Sequence, residues 1–313
     1  MNSNGPAARK HILVVANPTA GSARGNKLRR MVDGLERLGC SVTVHETQAQ
    51  GDAEQFVADV DCRQFDAIAV AGGDGTINEV LNGMPKNGPP LAILPLGTVN
   101  VLAREIGLPQ SIDDIIETVV LGPSRSISIG EVNGRRFAVM ASVGFDAMVV
   151  EKVDLDLKRY IGRLAYLYET LRQFIVSSPS TFRLCIDGGE KEAQGVIIAN
   201  GRHYAGRYVA APDAHLEKPS LDVCRLTRPG RLAAPGYLIS MFLGRLAERD
   251  DYRIGEATGL EILGPAGAPL QADGDVLCRL PATIRVLPAA VDLVFPSSEP
   301  ARAPSCRKET AGS

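Results

Sequence analysis

Asp66-Ala67-Ile68-Ala69-Val70-Ala71-Gly72-Gly73-Asp74-Gly75-Thr76 is the stretch on which the fold turns. After Asp66 the run is apolar without interruption, as a strand covered on both faces of a parallel sheet must be. Two glycines break it, and Thr76 to Gly83 then reads as a helix. Strand, glycine-rich loop and helix in that order make half of a strand–helix–strand unit. The same alternation continues in both directions. Upstream, His11 to Ala16 is a short β-branched strand. Asn26 to Leu38 sets Leu28, Met31, Val32, Leu35 and Leu38 on one helical face. Ser41 to Glu46 alternates as a strand, and Asp52 to Val60 reads as a helix opened by an Asp cap. Downstream, Leu91 to Leu94 is a strand, Asn100 to Ile106 a helix stopped by Gly107 and Pro109, and Asp113 to Leu121 a further helix. The series predicts an α/β fold with a doubly wound parallel sheet and right-handed crossovers.

Near Ser126 the pattern changes. Ser126 to Glu131, Arg136 to Ser142, Thr181 to Ile186, Val196 to Asn200, Leu221 to Leu226, Leu260 to Leu263 and Thr283 to Leu287 read as strands divided by Gly- and Pro-containing turns. They predict an antiparallel β-sandwich. Two helices interrupt it, at Leu157 to Val176 and Arg231 to Arg245. Val291 to Phe295 is a last strand that fits either half. The expected organisation is an α/β domain over residues 9–125, completed by 289–297, a sandwich domain over 126–288, and a disordered tail over 298–313 rich in Pro, Ser and Ala.

Length agrees: 313 residues at about 150 per domain suggest two domains. Lys and Arg total 34 against 36 Asp and Glu, a net charge of −2 that argues against a nucleic-acid partner. The 45 % apolar content supports full cores. No uncharged run reaches the roughly 18 residues of a membrane helix. Met1 to Lys10 is polar and lacks the apolar segment of a secretory signal. Cys40, Cys62, Cys185, Cys224, Cys278 and Cys306 are scattered, with no C-x-x-C pair, and read as thiols of a reducing cytoplasm. His11, His45, His203 and His215 have no metal spacing. Neither H-E-x-x-H nor G-x-S-x-G occurs.

Four special loops fall at the carboxyl ends of the parallel strands, where open α/β sheets bind ligands. Asn17-Pro18-Thr19-Ala20-Gly21 follows the first strand and Thr47 the second. Gly72-Gly73-Asp74-Gly75-Thr76 follows the third, and Pro95-Leu96-Gly97-Thr98 the fourth. Glycines let backbone N–H groups approach a polyphosphate closely, and the helix that follows aims its positive end there. Asp74 would repel bare phosphates and makes sense with a divalent cation between them. Thr76 can cap the helix or bond a phosphate. Any one of these loops alone is an ordinary turn; four at one edge favour a nucleotide site. Gly21, Gly25 and Lys27 resemble a P-loop only superficially, since no G-x-x-x-x-G-K-[ST] is present.

The run Val70-Ala71-Gly72-Gly73-Asp74-Gly75-Thr76-Ile77-Asn78-Glu79-Val80, followed by Leu94-Pro95-Leu96-Gly97-Thr98-Val99-Asn100, resembles the diacylglycerol kinase catalytic domain shared by bacterial lipid kinases and sphingosine kinases. Ser142 to Ala147 is similar to that family's "GfDA" segment, and Gln271-Ala272-Asp273-Gly274-Asp275 to its "Q-x-D-G-E" motif. The likeness spans residues 10 to 296. It implies ATP bound by Asn17 to Gly21, Thr47, Gly72 to Asn78 (Ile77 included), Gly97 and Thr98, and Mg²⁺ near Asp74. It implies a lipid hydroxyl as acceptor, with the proton taken by the Asp273-Gly274-Asp275 turn. Asp74, Asp273 and Asp275 are thus the candidate catalytic residues. Cytoplasmic placement is expected; the basic amphipathic stretch 157–176 and the apolar stretch 237–246 either cover the sandwich, as most amphipathic helices do, or make peripheral contact with a membrane surface, and a homodimer stays open. Three positions depart from the family's pattern. Val101 replaces an aspartate, Asp275 shortens a glutamate by one methylene, and Lys218-Pro219 stands where an Asp-Gly turn binds a structural cation. A lysine ammonium cannot ligate a cation but can supply its charge. The alternatives are an NAD kinase-like enzyme, which shares the Gly-Gly-Asp-Gly loop, and a non-catalytic nucleotide- or lipid-binding protein of the same fold.

Overall fold

The computed structural model describes residues 8–17, 22–97, 99–144, 181–204, 206–230 and 233–297. Its first four strands, β1 (His11–Ala16), β2 (Ser41–Glu46), β3 (Ala67–Gly72) and β4 (Leu91–Pro95), are parallel in the order β2-β1-β3-β4. β3 is buried at every position and β1 at all but its first, so both read as unbroken apolar runs. Ile12 and Val14 point to one face, where α1 (Ser22–Arg37) contributes Leu28, Met31 and Leu35 and α5 (Ile112–Leu121) contributes Ile115, Ile116 and Val119. Leu13 and Val15 point to the other, where α2 (Asp52–Asp59) and α3 (Asp74–Gly83) supply Ala53, Val57, Ile77, Val80 and Leu81. The period of two along the strand thus sorts the core into two layers.

The rest of the chain is mainly antiparallel. It runs through β5 (Ser124–Val132), β6 (Arg135–Phe137), β7 (Met140–Val143), β8 (Phe182–Ile186), β9 (Gly189–Ala193), β10 (Gly195–Ala199), β11 (His203–Tyr204), β12 (Tyr208–Val209) and β13 (Leu221–Leu226). Then follow β14 (Tyr252–Ala257), β15 (Gly259–Gly264), β16 (Pro269–Ala272), β17 (Asp275–Arg279) and β18 (Ala282–Val294). A six-stranded sheet in the order β14-β13-β10-β7-β16-β17 forms one layer. The other layer is not a separate sheet. It continues the parallel one through β4-β18-β15-β8-β9, with β5 and β6 alongside. Phe137, Val143, Leu184, Ile198, Leu221, Leu260, Leu270 and Ile284 fill the core between them. Two helices complete the description: α4 (Val101–Glu105), and α6 (Ala233–Phe242), which follows β13.

Four local expectations are corrected. The helix after the glycines starts at Asp74, not Thr76, with Gly73 in the cap position. α2 is entered through Gly51 at φ 87°; Asp52 is its first residue and accepts instead from the Gln48 N–H at 2.7 Å. Arg136 to Ser142 is not one strand but two, β6 and β7, because the N–H groups of Ala138, Val139 and Met140 bond a side chain rather than a neighbouring strand. Thr283 to Leu287 and Val291 to Phe295 are parts of one strand, β18. It pairs with β15 at one end and in parallel with β4 at Leu293–Leu91 at the other. Pro288 and a left-handed Ala289 (φ 46°) mark a register shift against β5 that bends the strand without ending it. The predicted helix 157–176 and the tail from 298 lie outside the described residues.

Candidate active site

The two glycine loops meet backbone to backbone. Gly72 O accepts from Leu96 N–H and Gly97 N–H at 3.1 and 3.0 Å. A Cβ on Gly97 would lie 2.7 Å from Gly73 Cα, and one on Gly72 would lie 2.7 Å from the Thr76 side chain. Neither contact is sterically allowed, so glycine at 97 lets the two loops close on one another and glycine at 72 leaves room for Thr76 at the start of α3. α3 then begins with no side chain bonded across its cap. Gly73 has no side chain to cap the N–H groups that follow, the Asp74 N–H bonds its own carboxylate, and the helix dipole favours an anion at this end. Asn17 N–H bonds Ala71 O at 3.0 Å, and its amide reaches Thr76 Oγ1 at 3.4 Å. Thr47 N–H bonds Ala16 O at 2.8 Å. Asn17, Thr47 and Gly72 to Thr76 are therefore gathered at one sheet edge.

Other predicted contacts have different roles. Ile77 is buried in the core beside Val80 and offers no side-chain surface to a ligand. Asn78 donates to Arg136 O at 3.0 Å and to Asp273 Oδ2 at 3.1 Å, so its amide is taken up in joining α3 to the sandwich. Thr76 is buried against Gly72 and caps nothing. Pro18 to Gly21, Thr98 and Phe145 to Ala147 lie outside the described residues.

The three carboxylates have separate surroundings. Asp74 leans over the start of α4 and accepts from Val101 N–H at 2.7 Å, with a further bond from Leu102 N–H. This explains how α4 forms behind Asn100, a left-handed residue (φ 45°) whose own side chain caps nothing. Burial, and then the charge of Asp273, push the Asp74 carboxyl up to about 6. Asp273 and Gly274, at φ 48° and 96°, form the two-residue turn between β16 and β17, a geometry that Asp-Gly suits. Asp273 Oδ1 accepts from Val139 and Met140 N–H at 3.0 and 3.1 Å; Oδ2 accepts from Ala138 N–H at 2.6 Å and from Asn78. Its four acceptor positions are filled. Burial raises its pKa, opposed by those same bonds. Asp275 is exposed, and its Oδ2 lies 3.4 Å from the point where a Gly75 Cβ would stand. Its carboxylate therefore faces the glycine loop across the cleft between the hairpin and α3.

A divalent cation can be tested against this donor set. Among the described residues no group of three metal-ligating side chains exists. Backbone N–H groups of Val101, Leu102 and Asp74 itself occupy three of the roughly four acceptor positions of the Asp74 carboxylate, which leaves one for an ion. One carboxylate plus phosphate oxygens and waters is the usual Mg²⁺ arrangement in phosphoryl-transfer sites, so the residues fit an ion carried in by a polyphosphate and would not hold one by themselves.

Several residues support the site; Asn200 and Glu105 carried no signal in the sequence, whereas Gln271 and Lys218 stood in segments already compared with the family's pattern. Gln271 donates to Ser142 Oγ at 2.6 Å and accepts from Gly274 N–H at 3.0 Å, which holds the β16–β17 turn. Buried Asn200 donates to Ser128 O and Ala138 O, both at 2.7 Å. Glu105 takes N–H bonds from Arg202 and His203 and meets His203 Nδ1 at 2.6 Å, tying the end of α4 to β11. Lys218, where the family's pattern expects a cation-binding turn, places Nζ 2.6 Å from Asp222 Oδ1 and 2.9 Å from Glu256 Oε1. Burial opposes its charge, but those two bonds outweigh burial and hold the ammonium above the ordinary lysine pKa. Asp222, only 2 % exposed, is held above the usual carboxylate range by burial.

A parallel α/β lobe continued into an antiparallel sandwich, with glycine loops at the junction, defines the class of two-lobed proteins shared by diacylglycerol kinases and NAD kinases. Residues 11–132 match the diacylglycerol kinase catalytic domain and residues 139–295 the YegS C-terminal NAD kinase beta sandwich-like domain. The chain belongs to the diacylglycerol kinase catalytic-domain family. It is 33 % identical to the diacylglycerol kinase of Bacillus subtilis over 227 residues, covering 70 % of this chain and 74 % of that one. The crystal structure of a diacylglycerol kinase from Bacillus anthracis superposes with a TM-score of 0.76 at 25 % identity, over 92 % of this chain and 97 % of that one. Yeast NADH kinase shares the fold more distantly, with a TM-score of 0.50 at 12 % identity over 92 % and 84 % of the two chains.

Proposed function

We propose that this protein is an ATP-dependent lipid kinase that transfers the γ-phosphate to a hydroxyl of a diacylglycerol-like or sphingoid lipid. The nucleotide lobe is residues 9–125 with 289–297, and the lipid lobe is 126–288. The observation that carries the reading is the exposed Asp275 carboxylate facing Gly75, beside a helix start that no side chain caps. A lipid alcohol is a poor nucleophile, and its transfer chemistry needs alignment and a nearby proton acceptor. Asp275 is the acceptor in this reading; Asp273, with every lone pair engaged, positions the turn that presents it. The N–H groups at the start of α3 receive the phosphate chain. Asp74 would hold Mg²⁺, directly or through its water shell, and that ion would offset charge on the transferring phosphate.

The lipid enters from a surface, not from solution. Ile239, Phe242 and Leu243 are 59, 55 and 66 % exposed on one face of the α6 end, an apolar tip suited to the outer layer of a bilayer. No helix among the described residues is long and apolar enough to cross a membrane.

The test is transfer from γ-labelled ATP with Mg²⁺ to micellar diacylglycerol, sphingosine, ceramide and phosphatidylglycerol, with NAD in a separate tube. Asp275→Asn should lower kcat by about 10² to 10⁴-fold while leaving ATP affinity intact, and Asp275→Glu should retain activity. Label in the NAD tube alone would assign the NAD kinase reading instead. Full turnover by Asp275→Asn would remove the proton-acceptor role.

A further inference from the structure

α1 delivers one cation to the nucleotide edge that the reading above does not use. Lys27 Nζ donates to Pro95 O at 2.7 Å. Pro95 is the last residue of β4 and sits in register with Gly72. The next two residues, Leu96 and Gly97, are the ones whose N–H groups clasp Gly72 O. The ammonium thus lies where the two glycine loops meet. Its helix neighbours Arg29 and Arg30 are exposed, whereas Lys27 is half-buried next to Leu28, which shares a buried core with Leu94 and Leu96. Among the described residues no carboxylate pairs with it. An ammonium has three N–H donors, and a neutral carbonyl satisfies one of them. Partial burial without a counter-charge disfavours the charged form, and the pKa of Lys27 is lowered for that reason. An anion placed at the same edge would restore what burial removes.

We infer that Lys27 is a binding residue for the phosphate chain of the nucleotide, reaching it from α1 while the Pro95 carbonyl holds the side chain in position. The inference deepens the kinase reading and rests on it. The sequence signal was discounted because Lys27 does not complete a P-loop pattern; the fold brings it to the phosphates from the side of the sheet, not from the loop itself. The competing role is purely structural, with Lys27 fastening the end of β4 so that Gly97 keeps its place.

The two roles separate on a ladder of ligands. Full-length wild type, Lys27→Met, Lys27→Gln and Lys27→Arg are titrated with adenosine, AMP, Mg-ADP and Mg-ATP, and melting temperatures are recorded alongside. A phosphate contact predicts that Met and Gln leave adenosine affinity unchanged and weaken ATP by about ten-fold or more, with Arg retaining most of the affinity. Gln keeps a polar donor toward Pro95 and so stands in if Met lowers the melting temperature. An equal loss for adenosine and ATP would assign the structural role and overturn the inference, as would unchanged ATP affinity in both neutral variants. Wild type that binds no ATP would overturn the kinase reading and this inference with it.

Discussion

Two aspartates one residue apart, Asp273 and Asp275, have opposite fates because one points into a ring of donors and the other out of it. Asp273 holds three consecutive backbone N–H groups and the Asn78 amide. Asp273→Ala strands those donors at a cost on the order of 3 kcal/mol, so its chemical denaturation midpoint should fall well below that of Asp275→Asn. Equal midpoints would show that water replaces the carboxylate. Asp74 makes a prediction about pH. Its pKa is lifted to about 6, by burial first and then by the charge of Asp273. Between roughly pH 4 and pH 6 the folded chain therefore holds a proton that the unfolded chain has released. The stability tied to that proton is present at the acid end of the window and is lost as pH rises through about 6, an effect on the order of 1–3 kcal/mol. Asp74→Asn cannot ionise, so its melting temperature relative to wild type should climb from acid to neutral pH. A pH-independent difference would mean that Asp74 titrates as it does in the unfolded chain.

At the scale of elements, α6 separates burial from exposure along its own length. Ala233, Tyr237 and Met241 are buried toward the sandwich, while Ile239 and Phe242 face out and Leu243 continues the exposed side. Phe242 stands edge-on to Tyr208 of β12 with ring centroids 4.9 Å apart, and Tyr208 pairs with Tyr204 of β11. Beyond Tyr204, at the turn, a Cβ on Gly206 would lie 3.0 Å from Val99, which follows the second glycine loop and is 38 % exposed. An apolar path therefore links the helix tip to the loop edge. Phe242→Asp should reduce turnover of lipid presented in vesicles several-fold while sparing a short-chain soluble analogue. Equal losses on both substrates would place the effect in the fold rather than at a membrane surface.

The whole molecule is tied together by β18, whose thirteen residues pair with β4 in the parallel region and with β15 in the sandwich. The Asn78–Asp273 and Asn82–Arg136 bonds add a second seam between α3 and the sandwich. Lobes that share a sheet and a seam should not melt independently, so calorimetry should show one transition with matching calorimetric and van't Hoff enthalpies. Two resolved transitions would mean that β18 comes apart near Pro288. Much of this architecture was legible from the chain alone. Apolar runs such as residues 67–71 and 91–94 suit strands covered on both faces, and the glycines that follow them mark loops; both are local properties of the residues. The polar edge strand β9, the division of residues 136–142 by a distant carboxylate, and the union of two short runs into β18 were not legible. The role of Asp273, the junction position of Lys27 and the Lys218–Asp222–Glu256 cluster depend likewise on partners far away in the chain. The sequence by itself determined which segments are strands buried on both faces and which loops crowd one sheet edge. Only the tertiary structure decided which carboxylate is spent on backbone donors and which is left exposed beside the glycine loop, because that depends on where folding brings residues 74, 138–140 and 273–275 together.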